Sequence, residues 1–328
     1  MRKLVISRIV SLAGLLLALA TVIFLLNELS PSDPAKARLG QNATPDAVAA
    51  ERARLGLDDP FLSRFVSYIH GLLTGDFGVS FRTDRPVLSD LAQYFPATIE
   101  LVASAAIITL VLAVLFAVSS VLNWPGSGIF RSILLIGSTA PTFVLGIAGV
   151  VVFYQVLGWL PASGRGNIVQ GPTGLGTLDG LLSGNLGAFA DAILHIVLPA
   201  TALAIGPALS IGRVLRSGLI ETMDADFIRT ARAKGILEIR IVAKHVLRNS
   251  ITGALSMTGL QVGSMFAGAV VVESIFSWPG LGSYLAGSIN VADFPAIAGV
   301  TLVLGVMYVT ANTIVDIAQG IADPRINV

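Results

Sequence analysis

The chain has 328 residues, of which 54% are hydrophobic and only 12% charged, with a mean hydropathy of +0.81 and a net charge of +1. Soluble domains carry about 25% charged residues, so this composition points to a membrane protein, which its helix-length apolar runs make all-α, and a net charge of +1 gives no hint of nucleic-acid binding. With no cysteine, disulfide frameworks, thiolate metal sites and thiol catalysis are excluded.

A helix needs about 20 apolar residues to cross a bilayer. Six segments meet that length in chain order: Ile9–Leu26, Thr98–Leu122, Ser132–Leu157, Ala192–Gly212, Ile251–Val272 and Ala296–Ile321. The first follows Arg2, Lys3 and Arg8, and its Ala18-Leu19-Ala20 resembles a signal-peptidase site. Its apolar run continues to Leu26, beyond the roughly 7–15 residues of a signal core, so a retained helix is expected. Between the first two spans lies a long polar segment ending in PFLSRFVSYIHGLLTGDFGVSF. There Phe61, Phe65, Tyr68, Ile69 and Leu72 recur at helical spacing, which predicts an amphipathic helix stopped by Gly75. Three regions follow: an N-terminal transmembrane helix (1–30), an extracytoplasmic segment with its amphipathic helix (31–97), and a five-helix core (98–328) with a charged loop at 213–250.

Lys and Arg set the orientation. The connection 213–250 carries Arg213, Arg216, Arg229, Arg232, Lys234, Arg240, Lys244 and Arg248, and the short connection 123–131 carries Arg131. From Asn249 to Pro324 there is none, and residues 158–191 hold only Arg165. With the basic N-terminus and Arg325, the positive-inside rule puts both termini and both basic connections in the cytoplasm.

Several chemistries are missing. None of Lys3, Lys36, Lys234 and Lys244 follows a glycine, so no P-loop exists to hold ATP, and Gly164-Arg165-Gly166 and residues 171–176 (GPTGLG) read as turns. His70, His195 and His245 lie far apart without ligand spacing. The intramembrane acids Glu100, Glu273 and Asp316 fall near the ends of the expected spans, which weakens the alternative of an ion-coupled carrier working alone by leaving it no midplane relay. Ser127 and His195 belong to opposite membrane faces, out of reach of each other as a hydrolytic pair. What the spans do carry is Pro141, Pro199 and Pro207 with several glycines, suited to kinked, closely packed helices, and no polar stripe marks a pore.

Residues 221–250 (ETMDADFIRTARAKGILEIRIVAKHVLRNS) then concentrate Lys/Arg and Asp/Glu in an otherwise apolar chain. Thr222 and Asp224 are candidate caps for a helix starting near Ala225, and Asp226 and Arg229 are spaced to pair. Beyond Gly235, Arg240, Lys244 and Arg248 fall on one helical face and Ile239, Val242 and Val246 on another. The pattern predicts two short amphipathic helices hinged at Gly235. Spacing alone leaves open a headgroup-binding loop, a regulatory patch or a docking element for a cytoplasmic protein.

The segment resembles the EAA loop of ATP-binding-cassette importer permeases, E-A-A-x3-G-x9-I-x-L-P. Arg229-Thr230-Ala231 takes the E-A-A place, Gly235 the glycine, and His245-Val246-Leu247-Arg248 the place of I-x-L-P, so Thr230 and Arg248 depart from the general signature. The form TARAKG (230–235) is similar to the dipeptide/oligopeptide/nickel subfamily and its B-like subunit. So are residues 56–61 (GLDDPF), 75–80 (GDFGVS), Ala140-Pro141-Thr142-Phe143, 273–282 (ESIFSWPGLG), Asp293-Phe294-Pro295 and Asp323-Pro324-Arg325, which together cover nearly the whole chain.

The resemblance implies a type I importer transmembrane domain in a prokaryotic cell membrane, six-spanning with both ends inside, which is half of a path for di- or oligopeptides, with nickel or another small solute as the alternative cargo. It implies a second homologous permease, two ATPase subunits or a fused pair, and an extracytoplasmic substrate-binding protein. This chain would bind no cofactor and catalyse no reaction, with ATP and Mg used on the ATPases. The implied coupling residues are Phe227, Arg229, Thr230, Ala231, Arg232, Ala233, Lys234, Gly235, Arg240, His245 and Leu247.

Overall fold

The computed structural model describes residues 2–30, 33–40, 42–122, 124–169 and 171–322, with the backbone alone at 2–7 and 322. The ending Asp323-Pro324-Arg325 lies outside the described residues. These form helices almost throughout, and the extended pairing among them is an isolated bridge between Val79 and Pro86. Five helices are long and apolar enough to cross a membrane, or six if one bent pair counts as a single span. They build two compact units: residues 2–96 with 279–306, and residues 97–278 with 307–322.

In the first unit, α1 (Arg2–Leu29) is followed by the short α2 (Pro34–Leu39) and α3 (Pro45–Arg54), then α4 (Phe61–Thr74). Asp33 caps α2 by accepting from the Ala35 amide at 2.9 Å, and Arg52 bridges Asp33 and Asp58. The expected amphipathic helix is α4, and Gly75 ends it in the left-handed conformation (φ +82°). Its Phe61, Phe65 and Tyr68 rings close on Phe24 of α1 with centroids 5.2–5.5 Å apart. The same helix leaves Leu62, Val66 and Leu73 exposed, so it is apolar on two sides.

The first turns of α5 (Val87–Val121), α13 (Leu281–Ile289) and the start of α14 (Phe294–Ala322) complete this unit. Ser80 donates to Asp293 at 2.5 Å, and Asp90 accepts from Thr83 at 2.5 Å and from Tyr284 at 3.0 Å. Buried carboxylates survive only when hydrogen-bonded. The Ser80–Asp293 bond joins the 75–80 and 293–295 motifs.

The second unit is arranged around α9 (Leu186–Met223), against which α6 (Ser127–Thr139), α7 (Thr142–Gly149), α8 (Gly176–Leu182) and α12 (Leu247–Ile275) pack. Gly212 allows α9 to approach α5 closely, since a Cβ there would sit 2.9 Å from Phe116. The Trp278 indole donates to the Ala97 carbonyl at 2.8 Å, and Thr98 donates to the buried Glu273 at 2.6 Å.

Two expectations change here. The single span over Ser132–Leu157 is broken, with α6 bent by 118° against α7 and the π turn Val150–Val156 that continues it. Ala140, held extended (φ −82°, ψ 139°) before Pro141, is the break, because a residue preceding proline is driven out of the helical region. Glu100, expected near a helix end, lies well inside α5, which starts at Val87 rather than at Thr98. It is paired with Arg165 and accepts from the Thr177 amide and hydroxyl at 2.7 Å.

Candidate functional site

The charged segment forms α10 (Asp226–Ala233), a turn through Gly235, and α11 (Glu238–Ile241), which runs through the π turn Val242–Val246 straight into α12. The second expected surface helix is therefore the entry to a long span. Neither expected cap is used. α9 continues to Met223, so Thr222 still lies within it, donating to Gly218 at 2.8 Å and meeting the Ser250 hydroxyl at 2.8 Å. Asp224 closes α9, and Ala225 begins α10 with no side-chain cap.

α10 ends in a Schellman turn: the Gly235 amide reaches the Arg232 carbonyl at 2.9 Å and the Ile236 amide the Ala231 carbonyl at 3.3 Å. The turn requires φ +73° at Gly235, the left-handed region that glycine adopts without strain. Across it, Arg232 clasps the Glu238 carboxylate with Nη2–Oε1 at 2.6 Å. That hydrogen bond holds the guanidinium above its ordinary pKa.

One residue of α10, Ile228, is fully buried. It enters a cluster with Ala113 and Ala117 of α5, Leu215 and Leu219 of α9, and Ile241 and Val246, against which Ala231, Ile236 and Leu247 also pack. The remaining expected residues lie around this anchor. Arg229 pairs with Asp226 at 3.5 Å, the Thr230 hydroxyl donates to the Asp226 carbonyl at 3.1 Å, and Phe227, Ala233, Lys234 and Arg240 are exposed. His245 sits half-buried in the π turn, its carbonyl accepting from Asn249 at 2.7 Å.

The expected apolar face holds at Val242 and Val246 and fails at Ile239. Ile241, Val242 and Val246 are buried, whereas Ile239 is 49% exposed beside Leu237 at 73%. Ile239 lies ahead of the π turn, in the one-turn α11, where Ile241 takes the inward position instead. Phe227, Leu237 and Ile239 thus join Arg240 as exposed apolar and cationic groups around α10 and α11.

A second feature was invisible in the sequence. Ser138 and Thr142, on either side of the α6–α7 break, face Ser210 and Arg213 of α9 and Gln261 and Ser264 of α12 around a cleft of about 330 Å³. Each helix supplies one or two polar residues, so only packing assembles the stripe. Arg213 also lines a neighbouring cavity of about 540 Å³ with Arg131, Arg216, Ser132 and Phe116. Among the described residues no three His, Asp or Glu side chains converge as a metal site would need.

Residues 109–328 match the family described as binding-protein-dependent transport system inner membrane component, and residues 1–102 match its N-terminal family. The chain belongs to this family. Its fold is that of a type I ABC importer transmembrane domain, in a multi-pass inner membrane component. The chain is 36% identical to the dipeptide transport system permease protein of Alkalihalophilus pseudofirmus, with 97% of each covered. It is 37% identical to the probable D,D-dipeptide transport system permease protein of Escherichia coli, with 95% of each covered, and 37% identical to the di/tripeptide transport system permease protein of Pseudomonas aeruginosa, with 92% of each covered. Family membership replaces the stand-alone ion-coupled carrier.

Proposed function

We propose that this chain is a permease subunit of an ATP-driven peptide importer, forming half of the path for di- or oligopeptides. Identity above one third along nearly the full length of permeases named for dipeptides and di/tripeptides carries the reading, and it favours peptide over nickel as cargo. The Lys/Arg distribution supports a topology with both ends in the cytoplasm. On that topology α10 lies on the cytoplasmic side and serves as the coupling helix. Ile228 locks it to α5, α9 and α12, while Phe227, Arg229, Lys234, Arg240 and the exposed Leu237 and Ile239 meet an ATPase subunit.

The partners are a second homologous permease, two ATPase subunits or a fused pair, and an extracytoplasmic binding protein. ATP and magnesium are consumed on the ATPases, consistent with the missing P-loop lysine here. The division into 1–30, 31–97 and 98–328 then corresponds to an added helix, an outer segment and the permease core.

The deciding experiment is uptake of a radiolabelled dipeptide by cells with and without this chain, with affinity capture of the solubilised chain alongside. ATP-dependent uptake that requires the chain, and an ATPase recovered with it, is expected. Uptake that survives its deletion, or persists after ATP depletion on a proton gradient alone, would refute the importer reading.

A further inference from the structure

The cavity beside α9 collects three guanidinium groups, Arg131 from α6 and Arg213 and Arg216 from α9, and no Asp or Glu lines it. Among the described residues none of the three forms an ion pair, while Arg131 donates from Nε to the Ser127 carbonyl at 3.1 Å. The adjoining cleft, which shares Arg213, is also without a carboxylate and carries hydroxyls and the Gln261 amide. Ser138, Ser210 and Ser264 each donate to a carbonyl of their own helix, at 2.9, 3.2 and 2.8 Å. Their oxygens therefore offer acceptors, and the guanidinium groups supply the strong donors.

Polar groups within membrane spans turn towards protein or water rather than lipid, which makes the cleft a wet surface leading from the apolar region to the arginines. Arginine presents a planar fork that fits a carboxylate with two parallel hydrogen bonds. A lipid headgroup would account for the arginines but not for the polar cleft that Arg213 shares. A ligand that travels along the cleft accounts for both.

We propose that Arg131, Arg213 and Arg216 form a carboxylate-reading station in the translocation path, where the C-terminal carboxylate of a passing peptide is held. The assignment rests on the peptide-importer reading above. With no acid in either cavity, the peptide's amino end finds no charged partner there, so the station reads one end of the cargo.

The test uses the full-length chain in phosphatidylcholine nanodiscs and saturation-transfer NMR, which detects millimolar binding. The probes are alanyl-alanine, its C-terminal amide and N-acetylalanine. Alanyl-alanine and N-acetylalanine are expected to bind, with the amide about tenfold weaker, as loss of a charge-assisted hydrogen bond predicts. The double variant Arg213→Gln, Arg216→Gln should weaken alanyl-alanine about tenfold and leave the amide unchanged, with Arg213→Lys intermediate. Both arginines are exposed, and an unchanged melting midpoint verifies the fold.

Equal binding of acid and amide, no carboxylate-dependent signal, or an unaffected double variant would overturn the proposal. So would phosphatidylglycerol that stays with the wild type and not the variant while peptide carboxylates have no effect, since the arginines would then belong to a headgroup. Arginine-dependent binding of N-acetylalanine without dipeptide uptake in cells would defeat the peptide reading and leave the station standing. Dipeptide uptake with acid and amide bound alike would do the reverse.

Discussion

Arg232 and Glu238 hold each other across Gly235, Nη2 to Oε1 at 2.6 Å, so the end of α10 and the start of α11 are tied on both sides of one left-handed turn. Exposed ion pairs contribute little by themselves, about 0–1 kcal/mol, and the conformation of Gly235 matters more. Nothing lies within 4 Å of a Cβ built there, so Gly235→Ala meets only backbone strain, about 1–2 kcal/mol. Gly235→Pro cannot reach φ +73° and also loses the amide that donates to Arg232. We expect Gly235→Pro, and the pair Arg232→Glu with Lys234→Glu, to insert normally yet uncouple ATP hydrolysis from uptake. ATPase and transport rates measured on the same reconstituted system check this. Wild-type uptake by those variants would remove α10 from the coupling role.

Ile228 is the single anchor of α10 among its described residues. Truncation of a core isoleucine to alanine costs about 2–5 kcal/mol, and this site faces α5, α9 and α12 together. Ile228→Ala should therefore release α10 while leaving the spans in place. Hydrogen exchange should accelerate at the amides of 226–235 and stay slow in the middle of α9 and α12. Slow exchange throughout would mean that the surrounding contacts seat α10 without it.

What could be read in the sequence follows from how local each signal is. Five of the six spans were legible because about 20 apolar residues in a row have few alternative fates. The exception is Ser132–Leu157 with its break before Pro141, and α4 was legible because its aromatic spacing and terminal Gly75 are local. The Asp226–Arg229 spacing also carried into a pair, although a long one at 3.5 Å. Thr222 misled because the apolar pattern fades before the helix does: α9 runs past the bilayer-length stretch to Met223. Arg240, Lys244 and Arg248 are all exposed, whereas Ile239 does not join Val242 and Val246 on the buried side, because in the one-turn α11 Ile241 takes the inward position. The cleft of Ser138, Thr142, Ser210, Gln261 and Ser264 leaves no trace in any single segment, because its polar groups come from four helices and meet only after packing.

Asp179 offers a pH test outside the spans. Burial pushes its carboxyl pKa up, but the Thr173 hydroxyl and amide, the Gly174 amide and the Arg165 charge outweigh it and hold the group below 3.8. A pKa depressed in the folded state contributes stability above the ordinary value, and that contribution is lost as pH falls through the folded value. Amides of the turn 171–183 should stay protected from neutrality down to pH 3.8 and open below it in detergent micelles. Asp179→Asn should abolish the pH dependence and leave protection weaker at neutral pH. Protection in the wild type that starts to fall well above pH 3.8 would count against this account.

Arg165 and Glu100 form the most buried ion pair among the described residues, with the Arg165 guanidinium also lying 5.3 Å from the centre of the Trp278 ring. Removing one partner of a buried pair leaves the other charge stranded, at about 3–5 kcal/mol, whereas removing both charges is far less costly. Arg165→Met should therefore lower the melting midpoint of the detergent-solubilised chain sharply. Adding Glu100→Gln to it should restore most of the loss, because Gln keeps an acceptor for the Thr177 amide and hydroxyl without the charge. Glu100→Gln alone strands the cation, but Arg165 still donates to the Gly174 carbonyl at 3.0 Å and keeps the Trp278 face, so a smaller drop is expected. Equal drops for Arg165→Met and the double variant would show that the arginine's packing, and not its charge, secures its own turn to α5.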